Sequence, residues 1–253
     1  MKNLIENWRT CSVDCKFILT HKKVDDIPEG YTVIDNTENK ELDHRLFSEW
    51  AGIDLICKAF DKMNEEKVAD KTGQTNPNFP PDFVTIAHYR RMPDPDCTKR
   101  IYVAQPMVFP CTVAQQYASM HFIEDLKYLG EAIKALYPNL VQHAEHVLNG
   151  NIFIPYNIVT CPYGQFRDWA AFVINVLKKA HELAGNHTFE ETVEIIKRRK
   201  VPENEGRDNR PEYQARWLSM LSERASTIYW LQCAKQAPVF PMKINLMEKG
   251  QKI

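Results

Sequence analysis

Asp82-Phe83-Val84-Thr85-Ile86-Ala87-His88-Tyr89-Arg90-Arg91 follows the proline pair Pro80-Pro81 and changes character along its length. It begins as a β-branched and apolar run, which predicts a buried strand. It ends in an imidazole, a phenol and two guanidinium groups. In an open α/β sheet the ligand crevice lies beyond the carboxyl ends of the strands, so this ending is the first candidate for chemistry. On a regular strand side chains alternate, which would turn His88 and Arg90 one way and Tyr89 and Arg91 the other. Guanidinium stays charged at any accessible pH, so two of them at a strand end need partners. An internal carboxylate meets that need; so does a diphosphate, whose oxygens match the guanidinium fork in pairs.

The run His88-Tyr89-Arg90-Arg91 resembles the His-Tyr-Arg-Arg-Tyr-Phe signature of a glycosyltransferase family found in capsular and exopolysaccharide gene clusters, with Met92-Pro93 in place of the last aromatic pair. Other segments fall in that family's order along nearly the whole chain. Thr20-His21-Lys22 resembles its N-terminal motif and Ser48-Glu49-Trp50 its Glu-Leu-Thr segment. Gln116-Tyr117, His121 and Asp125-Leu126 resemble its Gln-Tyr…His…Asp-Leu helix, and Tyr156-Asn157-Ile158 its Tyr-Asn-Met. Arg216 with Glu223-Arg224 resembles its C-terminal Arg…Glu-Arg helix.

The resemblance implies an α/β fold of the GT-A type: a single domain with a mixed central sheet flanked by helices and a helical C-terminal part. A donor-nucleotide half would span about residues 16–110 and an acceptor half about 111–240. It implies a nucleotide-sugar donor, a UDP-sugar first among them, and a glycan acceptor, in surface polysaccharide or glycoconjugate biosynthesis. Thr20, His21, Lys22, Glu49, His88, Tyr89, Arg90 and Arg91 would hold the donor and its diphosphate. Asn157, Arg216 and Arg224 would meet the acceptor, with His121, Asp125 and Glu223 as catalytic candidates.

Bulk properties bound the alternatives. A chain of 253 residues, 44% hydrophobic, can build one large α/β domain or two small ones. A net charge of −1 argues against broad nucleic-acid binding. No apolar run approaches the roughly 20 residues of a bilayer span, and residues 1–15 lack the apolar core of a signal peptide. The expectation is a soluble, cytoplasmic protein, with peripheral membrane contact left open where a lipid-linked acceptor sits. The seven cysteines, Cys11, Cys15, Cys57, Cys97, Cys111, Cys161 and Cys233, contain no CxxC and predict reduced, structural thiols.

Along the chain, Lys16–Thr20 and Tyr31–Asp35 predict short strands. Leu42 to Met63 carries apolar residues at helical spacing, and Asn64 to Pro81 reads as a surface connection. Glu49 sits near the start of that helix, where it could bind a hydroxyl, pair with Arg90 or face solvent. Asp94-Pro95-Asp96 spells the Asp-x-Asp that many nucleotide-sugar enzymes use to hold Mn²⁺ or Mg²⁺. It equally fits a proline-rigid turn. Thr112 predicts the cap of a helix running to Leu136, on which Tyr117, His121 and Asp125, four apart, would share a face. That stripe is either a structural hydrogen-bonded set or a lining of the acceptor side.

Asn151 to Thr160 predicts a strand with a bulge or turn at Pro155, and Phe166 to Leu183 a core helix. Asn157 can donate and accept, which suits sugar hydroxyls. Asn186 to Asn209, with Lys197-Arg198-Arg199-Lys200, predicts a solvated basic segment that could instead meet anionic lipid or a diphosphate. The final helix, about Glu212 to Gln236, places Arg216 and Glu223 two turns apart. Glu223 is either a salt-bridge partner or the base that takes an acceptor proton. The tail from Pro238 is too irregular to interpret. Two other classes fit the same residues: a non-catalytic binding protein and a nucleotidyltransferase. With only nine glycines, the chain has no phosphate loop of the GxxxxGK[ST] kind.

Overall fold

The structure, a computed structural model, describes residues 14–24, 27–69, 79–94, 96–199 and 207–247, without the side chains of 67–69. Cys11, Lys200 and residues 70–78 of the polar connection before Pro81 lie outside the described residues, and residues 64–69 of that connection are helical.

Strands β1 (Asp14–Thr20) and β2 (Tyr31–Asp35) pair in parallel. The Asp43 carboxylate caps α1 (His44–Phe47) by accepting from Arg45 N, and the chain breaks at Ser48, φ 52°, before α2 (Glu49–Ala69). The single helix expected from Leu42 to Met63 is therefore two. The left-handed residue ends one hydrogen-bond ladder and re-aims the chain so that Trp50 is fully buried. Gly52 lets α2 lie against the turn after β2, since a Cβ there would stand 2.3 Å from Asn36 Oδ1.

The decisive strand is β3 (Phe83–His88), parallel to β1 with His88 opposite Leu19. It does not continue through the arginines. Tyr89 and Arg90 form a turn, and β4 (Arg91–Pro93) folds back antiparallel, pairing Arg91 with His88. The alternation expected over the four polar residues is thus replaced by a hairpin, which sends Arg90 and Arg91 to different places.

Next come β5 (Ile101–Ala104) and β6 (Met107–Val108). Thr112 and Gln115 form a reciprocal capping box at α3 (Val113–Met120), which stops at an extended His121; α4 (Asp125–Leu136) starts afresh. One helix over 113–136 was expected and two are found. α5 (Val141–Asn149) ends at Gly150, and β7 (Ile152–Phe153) pairs with β6 in a small separate sheet. Tyr156 and Asn157 take left-handed φ values of 75° and 52° before β8 (Val159–Pro162), so the single strand expected over 151–160 is cut in two.

The helix α6 (Tyr163–Leu183) follows as predicted. The segment 186–209, expected to be a solvated run, contains α7 (Phe189–Arg198), capped by Thr188 and Glu191. Its Val193 and Ile196 are buried, giving that charged stretch an apolar seam. α8 (Pro211–Gln214) and α9 (Trp217–Cys233) divide the predicted last helix, leaving Arg216 between them. The tail forms β9 (Val239–Met242), parallel to β5, and β10 (Ile244–Leu246), antiparallel to β4.

The result is a mixed eight-stranded sheet. β3 has β1 along one edge; its other edge carries β8 beside Phe83–Ile86 and β4 at His88. Helices flank the sheet and thicken toward the C-terminus, as the expected fold class required. Three tryptophans from three helices fix that helical part: Trp50 and Trp169 rings lie 4.9 Å apart, Trp169 and Trp230 5.7 Å. Each burial is worth on the order of 5 kcal/mol of transfer free energy. Trp169 Nε1 donates to Ser226 Oγ at 3.1 Å, which ties the core to the residues around Asn157.

Candidate active site

Polar groups from several separate elements gather at the carboxyl ends of β1 and β3, the candidate cleft. From β1, the Thr20 hydroxyl donates to Lys22 O and accepts from Lys22 N, closing a tight turn that fixes the His21-Lys22 loop. Thr20 itself is buried; it shapes the loop, while His21 and Lys22 are exposed. The β3–β4 turn is pinned to β1 by Tyr89 N donating to Leu19 O. The Tyr89 ring meets His21 edge-on at 5.4 Å and His88 at 4.4 Å.

The two arginines differ. Arg90 is exposed, with its guanidinium 5.0 Å from the Tyr89 ring. Arg91 folds inward over Tyr156 at 4.3 Å, and its buried Nε has no hydrogen-bond acceptor among the described residues. Burial pulls the His88 pKa down to about 4; Glu49 opposes this, and Arg91, Arg90 and His21 reinforce it. His88 is therefore neutral at pH 7. Burial, then Lys22, Arg216, His44 and Arg90, lower His21 in the same way.

Two carboxylates face this positive set. Glu49 Oε1 accepts from Asn157 Nδ2 at 2.7 Å. Glu223 Oε1 accepts from Tyr156 N at 2.9 Å, and Oε2 lies 3.3 Å from Arg224 Nη1. Burial raises the Glu223 pKa, against Arg224, the Tyr156 N–H and Arg91, while the neighbouring Glu49 adds to the rise. A carboxylate with a raised pKa is a stronger base than a free one. Arg216, just before α9, donates from Nη2 to Ser48 Oγ at 3.2 Å and reaches the same rim as His21.

Asn157 does something sequence reasoning did not anticipate. Its Nδ2 donates to Glu49 and to Ser222 Oγ at 2.9 Å, and its Oδ1 accepts from Ser226 Oγ at 2.6 Å. Both ends of the amide are engaged inside the protein, so Asn157 positions Glu49 against α9. Asparagine tolerates the left-handed backbone that this requires. Tyr156, the platform under Arg91, was also missed; its positive φ leaves no trace in the sequence.

His121 and Asp125 do not join the cleft. Because α3 ends at His121, the expected face of steps of four does not exist; a turn brings the same residues together instead. Tyr117 donates to Asp125 Oδ2 at 2.9 Å, and His121 Nδ1 contacts Gln214 Oε1 at 3.2 Å. Burial raises Asp125 to about 7, against the Tyr117 hydrogen bond, and burial with Arg224 and Arg207 lowers His121 to about 4. Arg224, 3% exposed, lies between the two groups. It reaches Glu223 on one side, and Gln116 Oε1 and the Tyr117 and Phe153 rings on the other.

Asp94 Oδ1 accepts from Asp96 N at 3.1 Å, the geometry of a turn. Among the described residues no group of three or more His, Cys, Asp or Glu side chains converges as a cation site. In the cleft, Glu49 and Glu223 are held by amide, backbone and guanidinium donors.

The mixed sheet flanked by helices has the fold of a solved glycosyltransferase structure. The apo structure of the bifunctional glycosyltransferase WbbM is similar at 11% identity with a TM-score of 0.60, covering 92% of this chain and 45% of that one. The chain thus spans under half the length of that protein. Residues 96–235 match the model of a family described as a domain of unknown function, DUF4422, and the chain belongs to that family. The match begins at Asp96, so His88-Tyr89-Arg90-Arg91 lies outside it. No curated protein matches the sequence. Among the described residues no helix is long and apolar enough to cross a membrane.

Proposed function

We propose that the protein transfers a sugar from a nucleotide-sugar donor, UDP-linked in the first instance, to a glycan acceptor, with the strand-end cleft as the reaction site. The observation that carries this is the split pair of arginines. Arg90 is exposed at the rim beside the Tyr89 ring, while Arg91 is held over Tyr156 with an Nε unpaired among the described residues, near the raised carboxyl of Glu223.

The fixed Thr20–Lys22 loop and the neutral His21 and His88 line the approach for the nucleotide. A diphosphate bridging Arg90, Arg91 and Lys22 leaves with its growing charge already matched by preorganised guanidinium groups. Glu223 takes the proton from the attacking hydroxyl: its Oε1 is fixed by the Tyr156 N–H, and its basicity is raised by burial. Glu49, aimed by Asn157, accepts a hydrogen bond from a donor or acceptor hydroxyl. Arg216 stands at the His21 side of the rim, where it would meet the acceptor. Arg224 acts through Glu223, balancing its charge from within the protein.

The test is incubation with a panel of nucleotide sugars and oligosaccharide acceptors, with and without Mn²⁺, following the released nucleotide. Nucleoside diphosphate release that Glu223→Gln slows by about 10²–10⁴-fold supports glycosyl transfer with this base. Pyrophosphate release would place the protein among nucleotidyltransferases, and donor binding without turnover would make it a binding protein.

A further inference from the structure

A second cavity, of about 210 Å³, opens where the α3–α4 turn meets α7, α8 and the start of α9. It shares no lining residue with the strand-end cleft. Its lining is mixed: the rings of Phe122, Tyr128 and Trp217, the last two with centroids 5.8 Å apart, stand beside His181, His187 and Gln214. Asp125, 4% exposed, and Arg199, whose charge acts on Asp125, complete the polar part. Only Oδ2 of Asp125 is hydrogen-bonded among the described residues, to Tyr117. Oδ1 remains for a ligand. Arg199 rests 4.8 Å from the Phe122 ring, opposite Arg207 at 4.6 Å on the same ring.

The lining selects a ligand class. An apolar molecule would leave Asp125 and Arg199 desolvated and unpaired, and a phosphate would meet a carboxyl at the cavity's centre. A neutral polyol with one hydrophobic face satisfies both kinds of wall, by stacking its C–H groups on rings and placing hydroxyls between Oδ1 and the guanidinium. The volume equals that of about seven waters at ~30 Å³ each, suited to one sugar ring. Polar groups placed among aromatic rings are the usual form of a small-ligand site.

We propose that this cavity is a saccharide-binding site, separate from the reaction site, which holds one sugar ring of a glycan between Asp125, Arg199 and the Trp217–Tyr128 wall. It goes beyond the transfer chemistry and holds whether or not a donor is turned over.

Saturation-transfer NMR and calorimetry with a panel of methyl pyranosides and disaccharides test it on the full chain. At least one saccharide should bind. Ile195→Trp, which introduces an indole from the half-exposed α7 side of the cavity, should abolish binding. Arg199→Ala should weaken it by about tenfold, or 1.4 kcal/mol. The double variant Arg90→Ala/Arg91→Ala should leave it unchanged, which separates this site from the cleft. Silence across the panel, or binding that survives both cavity variants, would overturn the proposal.

Discussion

The strand-end cleft and the Asp125 cavity are built from the same kinds of residue, yet they treat charge in opposite ways. In the cleft, cations outnumber carboxylates. Arg90 and Lys22 are exposed, and Arg91 Nε has no acceptor among the described residues. In the cavity, one carboxyl is bonded at Oδ2 by a tyrosine hydroxyl and pushed up to about 7 by burial, with one guanidinium, Arg199, beside it. The cleft gathers an excess of positive charge, as a site for an anion must; the cavity sets one carboxyl against one guanidinium, which suits a neutral ligand. Arg224 is the residue that keeps the two apart.

The largest effect should therefore come from breaking that divider. Glu223→Ala leaves the buried Arg224 without its carboxylate and should cost about 3–5 kcal/mol in chemical denaturation. Glu223→Gln, which can still accept from Tyr156 N, should cost clearly less. Next, Asn157→Ala strips Glu49, Ser222 and Ser226 of a shared partner. It should destabilise by about 1–3 kcal/mol and reduce donor turnover together. Equal stability of this variant and the wild type would remove Asn157 from its positioning role.

A third prediction concerns pH and only the cavity. Asp125 has a folded pKa above its unfolded value, so the native state holds a proton that the unfolded chain has lost between about pH 4 and pH 7. Stability from this group is complete at low pH, falls across that window and is flat above it. Asp125→Asn removes the dependence, so its stability relative to the wild type should rise from pH 4 to pH 7 in urea melts. A constant difference would contradict the buried, raised carboxyl. The smallest structural effect belongs to Lys22→Ala at the cleft rim: its thermal midpoint should barely move, within about 0.5 kcal/mol, while donor affinity falls.

How much of this was written in the sequence follows from where local preference and tertiary packing agree. The run Phe83–Ala87, the Thr112 cap and the apolar face of α6 carry their own signal, and each became the element predicted. Ser48, His121 and the Tyr156-Asn157 pair break regular structure through backbone conformations that packing imposes, and no composition marks them. The tail was illegible because β9 contains Pro241 and β10 is three residues long; both are strands only because β5 and β4 offer edges. The sequence suggested Arg90 and Arg91 as anion partners with Glu49 near Arg90; the approach of Glu223 to the same group was not readable. The division of labour between Arg90 and Arg91 depends on a hairpin that strand alternation does not foresee. His121 and Asp125 were found together for a reason other than helical spacing, around a cavity the sequence gives no means to see.

The central claim, that the strand-end cleft receives a nucleoside diphosphate group, is tested most directly by calorimetric titration of UDP and UDP-sugars into the wild type and into Arg90→Ala/Arg91→Ala. The account predicts binding of at least one of these ligands by the wild type, weakened at high salt and lost in the double variant with the fold intact. Binding that the double variant retains, or a folded wild type that takes up none of them, would contradict it.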